Sequence, residues 1–335
     1  MLGLRSDWQE HMARSAAEIG VEGLRMHGAM DDDLSITPRK GEYHFYNLDI
    51  VYDNMLKHGV KPIVELSFMP AALVSCGGKF PNGTSQPSCS WAFGNAQAGP
   101  GSYRGLQHPP DDFEDWYDLV KATAQHMVDR HGLAEVSTWK WEVWNGERAR
   151  VSCSKTARAC RRADGVCLPE LWGMQYPHPY LELYNASARA IKSVHPSLNV
   201  GGPATAGLGF VQEFVDDTKR LGIPVDFVST HSYPSDGYCS NTPDPDCFAK
   251  KLLASREIAQ KGGLPFMITE YKDGLQGGPG CAYGGKHGDM AYAAAFIIHV
   301  RAAAPLRLLP KSQTSHCADN SDANRARRLL LVDDQ

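Results

Sequence analysis

The sequence predicts an α/β fold in which helices cover a parallel sheet. Three observations point to it: short apolar runs rich in β-branched and aromatic residues recur, amphipathic stretches separate them, and no glycine-rich phosphate loop follows the first run. The alternation favours a (β/α)8 barrel of the TIM type over an open doubly wound sheet, which usually carries such a loop. The strand-like runs lie at residues 23–30, 61–68, 138–145, 198–205, 225–232 and 265–271. Because these are six runs and a closed barrel has eight strands, we expect the barrel to be incomplete.

Helical periodicity occupies the stretches between the runs. Residues 48–56 place apolar side chains at i, i+3, i+4, i+7 and i+8, and residues 211–221 repeat that stripe. Ser6 and Gln9 have the spacing of a capping box, so they predict the start of the first helix. Gly20 follows that helix, where a left-handed C-terminal residue is expected.

Composition excludes two classes of partner. Lys and Arg number 34 against 38 Asp and Glu, so the formal net charge of −4 is not that of a nucleic-acid-binding protein. No apolar run approaches the roughly 18 residues that a membrane-spanning helix needs. We therefore expect neither nucleic acid nor a membrane as a partner.

Neither a metal nor a cofactor is expected. The histidines are scattered and contain no HExxH pair, which weighs against a metal-dependent hydrolase. Cys153, Cys160 and Cys167 are seven residues apart, which is not zinc-finger spacing. Cys239 and Cys247 flank one loop and Cys76 and Cys89 flank another, and either pair could close a disulfide in an oxidising compartment. The first residues, MLGLRSDWQEH, lack the apolar stretch of a signal peptide.

Two carboxylates stand where strands end. Glu147 follows Trp144-Asn145 after one glycine, and Glu270 closes the last run. In a barrel the carboxyl ends of the strands line the active site, and an unpaired charge there is unfavourable unless it is used. The alternative is a pair of salt-bridged or capping glutamates. The nearby His27, His231, Tyr233 and Asn145 favour a functional site.

Paired carboxylates around one bond are typical of glycoside hydrolysis. One protonates the leaving oxygen, while the other attacks the anomeric carbon when the two lie roughly 5–5.5 Å apart, or activates water when they lie further apart. Trp141, Trp144 and Trp172 are candidate stacking faces for a sugar ring, although core packing is favoured for Trp139 and Trp141.

The chain resembles glycoside hydrolase family 39, the β-xylosidases and α-L-iduronidases. The resemblance rests on LRSDWQEH, LRMHGAMDDD, YNLDIVYDNMLKHGVKPIVELSFMP, WEVWN, ELYNASARAIKSVHPSLNVGGPATAG, VDFVSTHSYP and ITEY, within residues 4–300. It implies a retaining barrel enzyme with Glu270 as the nucleophile. It also implies sugar contacts from the matching His27, Asn145, His231 and Tyr233. LSFMP and THSYP are more similar to the β-xylosidase branch.

The acid/base position departs from the family pattern Trp-Asn-Glu. Gly146 separates Asn145 from Glu147, and a basic segment without family likeness runs to about residue 169. Removing residues 146–169 joins Asn145 to Glu170 and restores the pattern. Residues 146–169 are therefore either translated non-coding sequence, with Glu170 as the acid/base, or a true loop insertion, with Glu147 in that role.

The resemblance also sets the expected extent of the barrel. Its strands two to seven are recognised, whereas the first and eighth are not, so the domain looks truncated at both ends. We expect a glycosidase barrel over residues 1–300 and an irregular or disordered tail over residues 301–335. The compartment stays open, since no signal peptide is visible but the N-terminus looks incomplete, and a secreted or a lysosomal or vacuolar location fits equally.

Three functional interpretations remain from sequence. The first is a retaining glycosidase that acts on a β-xyloside or a related glycoside. The second is a catalytically impaired carbohydrate-binding remnant or a gene-model fragment of the same family. The third is α-L-iduronidase-like activity. The sequence does not indicate an oligomeric state.

Overall fold

The computed structural model describes residues 2–75, 91–92, 105–146, 178–232, 247–270 and 307–308. Six strands of four to seven residues form the body of the sheet: β1 (Gly23–Met26), β2 (Lys61–Leu66), β5 (Lys140–Val143), β6 (Asn199–Thr205), β7 (Phe227–His231) and β8 (Phe266–Glu270). Three further strands have two residues each: β3 (Trp91–Ala92), β4 (Gly105–Leu106) and β9 (Arg307–Leu308). The helices are α1 (Ser6–Ile19), α2 (Tyr46–Lys57), α3 (Phe113–His131), α4 (Leu133–Val136), α5 (Tyr180–Val194), α6 (Val211–Leu221) and α7 (Cys247–Lys261).

The main sheet has the order β1-β2-β5-β6-β7-β8-β9, and every pair in it is parallel. Strands β3 and β4 form a separate antiparallel pair. Sequential strands that are neighbours and parallel, with a helix between them, describe an arc of a (β/α)8 barrel. The predicted fold class is confirmed, and the six long strands are the six predicted runs with slightly tighter bounds.

Strand β9 lies within the segment where the sequence predicts an irregular tail. Its two residues pair with Met267 and Ile268 of β8, at the side of the sheet where a further barrel strand would follow. Two residues are too few to give the period-two pattern by which a strand is recognised. The segment around this pair lies outside the described residues.

Helix ends follow local chemistry. Gly20 has φ 69° and ψ 39°, so it is the predicted left-handed cap of α1. The predicted capping box is wrong, because Ser6 is the first residue of the helix and Arg5 occupies the cap position. The side-chain amide of Gln9 instead donates to the carbonyl oxygen of Gly3 at 2.9 Å.

The core lies between the outer face of the sheet and the helices. Trp116 on α3 donates its indole N–H to Ser187 on α5 at 2.8 Å, and both side chains are fully buried. Trp139 and Trp141 are also fully buried, which confirms core packing for both. These contacts hold α3, α5 and the sheet as one layered unit.

The inner face of the sheet is tightly packed at the end opposite the carboxyl ends of the strands. Ile63, Phe227 and Met267 form a small apolar cluster there. Gly201 on β6 allows this approach, because a Cβ atom at this position would lie 2.4 Å from the backbone oxygen of Phe227. This cluster lies in the first half of β2, β7 and β8, away from the carboxyl ends of the strands where a site is expected.

Two findings bear on the predicted disulfide and on the membrane. Cys247, at the start of α7, is disulfide-bonded, and its partner lies outside the described ranges. Among the helices described, none combines the length and the apolar composition needed to cross a membrane.

Candidate active site

The carboxyl ends of β1, β2, β5 and β8 meet around the guanidinium of Arg25. Its Nη1 lies 2.7 Å from Glu65 Oε2 and 2.9 Å from Glu270 Oε1, and its Nε donates to Glu142 Oε2. Its Nη2 donates to Asn145 Oδ1 at 3.0 Å. The planar guanidinium presents several donors in a fixed arrangement, so one side chain orders four acceptors from three other strand ends.

This cluster is buried. The side chains of Arg25, Glu65 and Glu142 are fully buried, and that of Glu270 is 5% exposed. Burial lowers the pKa of Arg25, but the attraction of Glu142, Glu65 and Glu270 outweighs it, so the pKa is raised overall. Arg25 is therefore a permanent positive charge at the centre of three carboxyl groups.

Glu65 has the most perturbed carboxyl group that the structure resolves. Burial raises its pKa to about 8, against the attraction of Arg25 and a hydrogen bond from the Ser67 hydroxyl. Repulsion from Glu142 and Glu270 acts on the pKa in the same direction as burial. A perturbed carboxyl group that sits next to charged partners at strand ends is characteristic of a functional site.

The turn after β5 places Asn145 beside Arg25. Trp144 has φ 73°, in the left-handed region that a bulky residue rarely adopts. Its N–H bonds to the Leu66 oxygen at 3.2 Å, and the following Gly146 N–H bonds to the Ala204 oxygen at 2.9 Å. These bonds to β2 and β6 hold the turn on both sides and fix the position of the Asn145 amide.

Two histidines flank Glu270. His231 Nδ1, at the end of β7, lies 3.6 Å from Glu270 Oε2, and the N–H of Ser232 bonds to the Glu270 backbone oxygen at 3.0 Å. His27, just after β1, has Nδ1 3.3 Å from Glu65 Oε1 and Nε2 4.0 Å from Glu270 Oε1. The histidines thus meet the same carboxylate from opposite sides.

The structure brings together four of the residues predicted from sequence: His27, Asn145, His231 and Glu270. Glu147, Glu170 and Tyr233 lie outside the described residues. Trp172 also lies outside them. Trp144 is 1% exposed and packs edge-on against Phe68 and Trp116, so it is not an open stacking face for a sugar.

Sequence reasoning missed Arg25, Glu65 and Glu142. Each is a charged residue inside a short apolar run, GLRM, KPIVEL and KWEV. A charge in a strand that is buried on both faces is unfavourable unless it is paired, and that rule alone marks all three.

The arrangement suits chemistry at an electron-poor carbon. A carboxylate that a buried guanidinium holds at the end of a strand is a preorganised nucleophile or charge stabiliser. In the described ranges, no three side chains of the His, Cys, Asp or Glu type form a group that would hold a metal ion.

Comparison with known proteins gives a consistent result. The sequence profile of "Glycosyl hydrolases family 39" matches residues 1–150 and 170–315. A β-xylosidase of Caldicellulosiruptor saccharolyticus is 33% identical over 306 residues, which cover 88% of this chain and 54% of that protein. The human α-L-iduronidase is 27% identical over 139 residues, 36% of this chain and 18% of that protein.

A solved structure of a GH39 β-xylosidase from Caulobacter crescentus superposes with a TM-score of 0.68 at 28% identity, covering 93% of this chain and 59% of that one. The chain thus spans little more than half the length of the β-xylosidases it matches. The family resemblance inferred from the motifs is confirmed, and the profile match leaves residues 151–169 unmatched.

Proposed function

The chain belongs to glycosyl hydrolases family 39, and on that premise we propose that it hydrolyses a glycosidic bond with Glu270 as the nucleophile. The observation that carries the proposal is the position of Glu270. Its carboxylate stands at the end of β8, 2.9 Å from the buried Arg25 guanidinium and between His27 and His231. A charged carboxylate held in this way attacks the anomeric carbon and forms a covalent glycosyl-enzyme.

The proposed reaction is a double displacement with retention of configuration. Glu270 attacks while a second carboxyl group protonates the leaving oxygen, and the same group then activates the water that releases the sugar. Arg25 supports the anionic form of Glu270, and Asn145 and His231 are placed to bond sugar hydroxyls beside it. The proposed substrate is a β-xyloside, which the names of the β-xylosidase relatives support.

The acid/base is Glu170 or Glu147, and we favour Glu170. The family match stops at residue 150 and resumes at residue 170, which supports the interpretation that the intervening segment is foreign to the fold. Without residues 146–169, Glu170 directly follows Trp144-Asn145 and the family pattern is restored. Sequencing the transcript tests the origin of the segment, since translated non-coding sequence would be absent from spliced messages.

Nitrophenyl β-xyloside turnover, with nitrophenyl α-L-iduronide as the alternative substrate, tests the proposed function. Glu270→Ala should reduce kcat to background, because no glycosyl-enzyme forms without the nucleophile. Added azide should then restore turnover with inversion at the anomeric carbon. Turnover of Glu270→Ala at the wild-type level would overturn the assignment, and sugar binding without turnover by the wild type would favour the carbohydrate-binding alternative.

Glu147→Gln and Glu170→Gln form a matched pair for the acid/base. An activated nitrophenyl leaving group needs little protonation, whereas a xylobiose leaving group needs it fully. The variant of the true acid/base should therefore lose far more activity on xylobiose than on the nitrophenyl substrate, and azide should give a product with retained configuration. The other variant should either keep its activity on both substrates or lose it to the same extent on both.

A further inference from the structure

Three carboxyl groups share one guanidinium in the buried cluster. Glu65, Glu142 and Glu270 all contact Arg25, and none is more than 5% exposed. If all three were ionised, these four groups together would carry a formal net charge of −2. An uncompensated charge in a buried site is strongly unfavourable, and such sites usually bind a proton instead.

The geometry distinguishes the three carboxyl groups. Glu142 accepts the hydrogen bond from Arg25 Nε, and Glu270, which is 5% exposed, is the least buried of the three. Glu65 is fully buried, and its Oε1 contacts the Ser67 hydroxyl, which as a donor favours the ionised carboxylate but accepts a hydrogen bond from the protonated form equally well. Among the three, Glu65 therefore combines full burial with a neutral partner that suits a protonated carboxyl group.

We propose that the cluster holds one proton at neutral pH, that Glu65 carries it, and that the neutral Glu65 leaves Arg25 to pair with Glu142 and Glu270. Glu65 is then a positioning residue, which keeps Glu270 ionised without touching the substrate. The consequence for Glu270 rests on its proposed role as the nucleophile, whereas the location of the proton does not.

The groups that face Glu65 come from several elements. Arg25 and His27 approach from β1 and the turn after it, Glu142 from β5 and Glu270 from β8. Tyr52 of α2 is also close enough to Glu65 to interact with it, and burial is the main cause that raises the pKa of Tyr52. Arg25 favours the ionised form of Glu65, while the two glutamates and burial favour the protonated form.

A proton on Glu65 has a defined effect on stability. The folded-state pKa of Glu65, about 8, lies above the ordinary value of 4.5 for a glutamate. Between these values the folded chain holds a proton that the unfolded chain has released, so the contribution of Glu65 to stability falls as pH rises. Each pH unit in this window lowers the folding equilibrium constant by up to about tenfold.

Glu65→Gln is the sharpest variant, because glutamine is a neutral near-isostere of a protonated glutamate. Urea unfolding should show that Glu65→Gln matches the wild type at pH 5 and becomes more stable than it towards pH 8. Relative to that of the wild type, the folding equilibrium constant of Glu65→Gln should increase by up to about tenfold per pH unit. The matched control is Glu142→Gln, which removes the cross-strand partner of Glu65 and should be less stable than the wild type at pH 5.

Infrared spectroscopy locates the proton without any need for activity. The wild type at pH 7 should show a carbonyl stretch of a protonated carboxyl group that Glu65→Gln lacks. In Glu142→Gln this band should titrate at lower pH, because Arg25 then faces fewer negative charges. A band that persists in Glu65→Gln, or a Glu65→Gln variant that fails to fold, would show that the proton lies elsewhere.

The pH profile of kcat/KM tests the role of Glu65 in positioning charge. The acid limb reports the ionisation of the nucleophile. The acid limb should stay at the wild-type position in Glu65→Gln, because the side chain at this position is neutral in both proteins. An acid limb that moves to lower pH would mean that Glu65 is ionised in the wild type and competes for Arg25. Absence of turnover in every protein would refute the proposed function and leave the stability and infrared results standing.

Discussion

Replacing Arg25 by methionine tests how strongly the site depends on its central charge. Arg25 is fully buried and contacts Glu142, Glu65 at 2.7 Å, Glu270 at 2.9 Å and Asn145 at 3.0 Å. Removing one partner of a buried ion pair costs about 3–5 kcal/mol. Because three carboxyl groups lose the same partner, we expect the upper end of that range at pH 7, which is a large part of the roughly 5–15 kcal/mol that stabilises a domain.

The loss of stability in Arg25→Met should be smaller at low pH than at neutral pH. Without the guanidinium, burial and mutual repulsion raise the pKa of the carboxyl groups above their unfolded values. Stability is then retained at low pH and lost as pH rises through the raised pKa values. Lowering the pH from 7 to 5 should recover roughly 3 kcal/mol for each additional carboxyl group that is protonated on folding.

Urea unfolding at pH 5, 6 and 7 measures this effect. Arg25→Lys keeps the charge but loses the fixed arrangement of donors, so it should lie between the wild type and Arg25→Met. Arg14→Met is the control on the protein surface, because Arg14 pairs with Glu18 in solvent and should change little. An equal loss for Arg25→Met at pH 5 and pH 7 would refute the charge-based reasoning and indicate a packing defect instead.

Two further predictions concern neighbouring positions. His231→Ala should lower kcat/KM by about two- to tenfold, less than Glu270→Ala, since a hydrogen bond to a neutral sugar hydroxyl contributes about 0.5–1.5 kcal/mol. Equal losses in nitrophenyl xyloside assays would mean that the two roles are misassigned. Gly201→Ala should lower the free energy of unfolding by about 1–3 kcal/mol, because its Cβ atom would lie 2.4 Å from the Phe227 oxygen. Gly20→Ala, with open space around it, should cost about 1 kcal/mol, and an equal effect of both in urea unfolding would contradict the steric reasoning.

Much of the fold was predictable because its strands are continuous apolar runs. Runs such as 61–68 and 265–271 became β2 and β8 with bounds a few residues shorter. Strand β9 was not predictable, since two residues carry no periodicity. The capping box failed because two residues at the right spacing do not fix which of them starts the helix.

The candidate site was predictable only where charges end a strand. Glu270, His27 and His231 were found in this way, and the structure places them together. Arg25 and Glu65 were not, because an apolar run hides a charge in its interior, and their pairing depends on strand order in space. Only the arrangement of the strands in space shows that these charges meet: β1, β2 and β5 lie side by side, and Glu270 at the end of β8 reaches the same Arg25.

Trapping the covalent intermediate is the most direct test that Glu270 is the nucleophile of a retaining glycosidase. A 2-deoxy-2-fluoro xyloside with a good leaving group slows breakdown of the glycosyl-enzyme, because fluorine destabilises the oxocarbenium-like transition state. Mass spectrometry of the intact protein and its peptides should show one added fluorosugar, on the peptide that contains Glu270, and none in Glu270→Ala. A fluorosugar on a different residue, or rapid turnover of the compound with inversion and no adduct, would contradict the assignment.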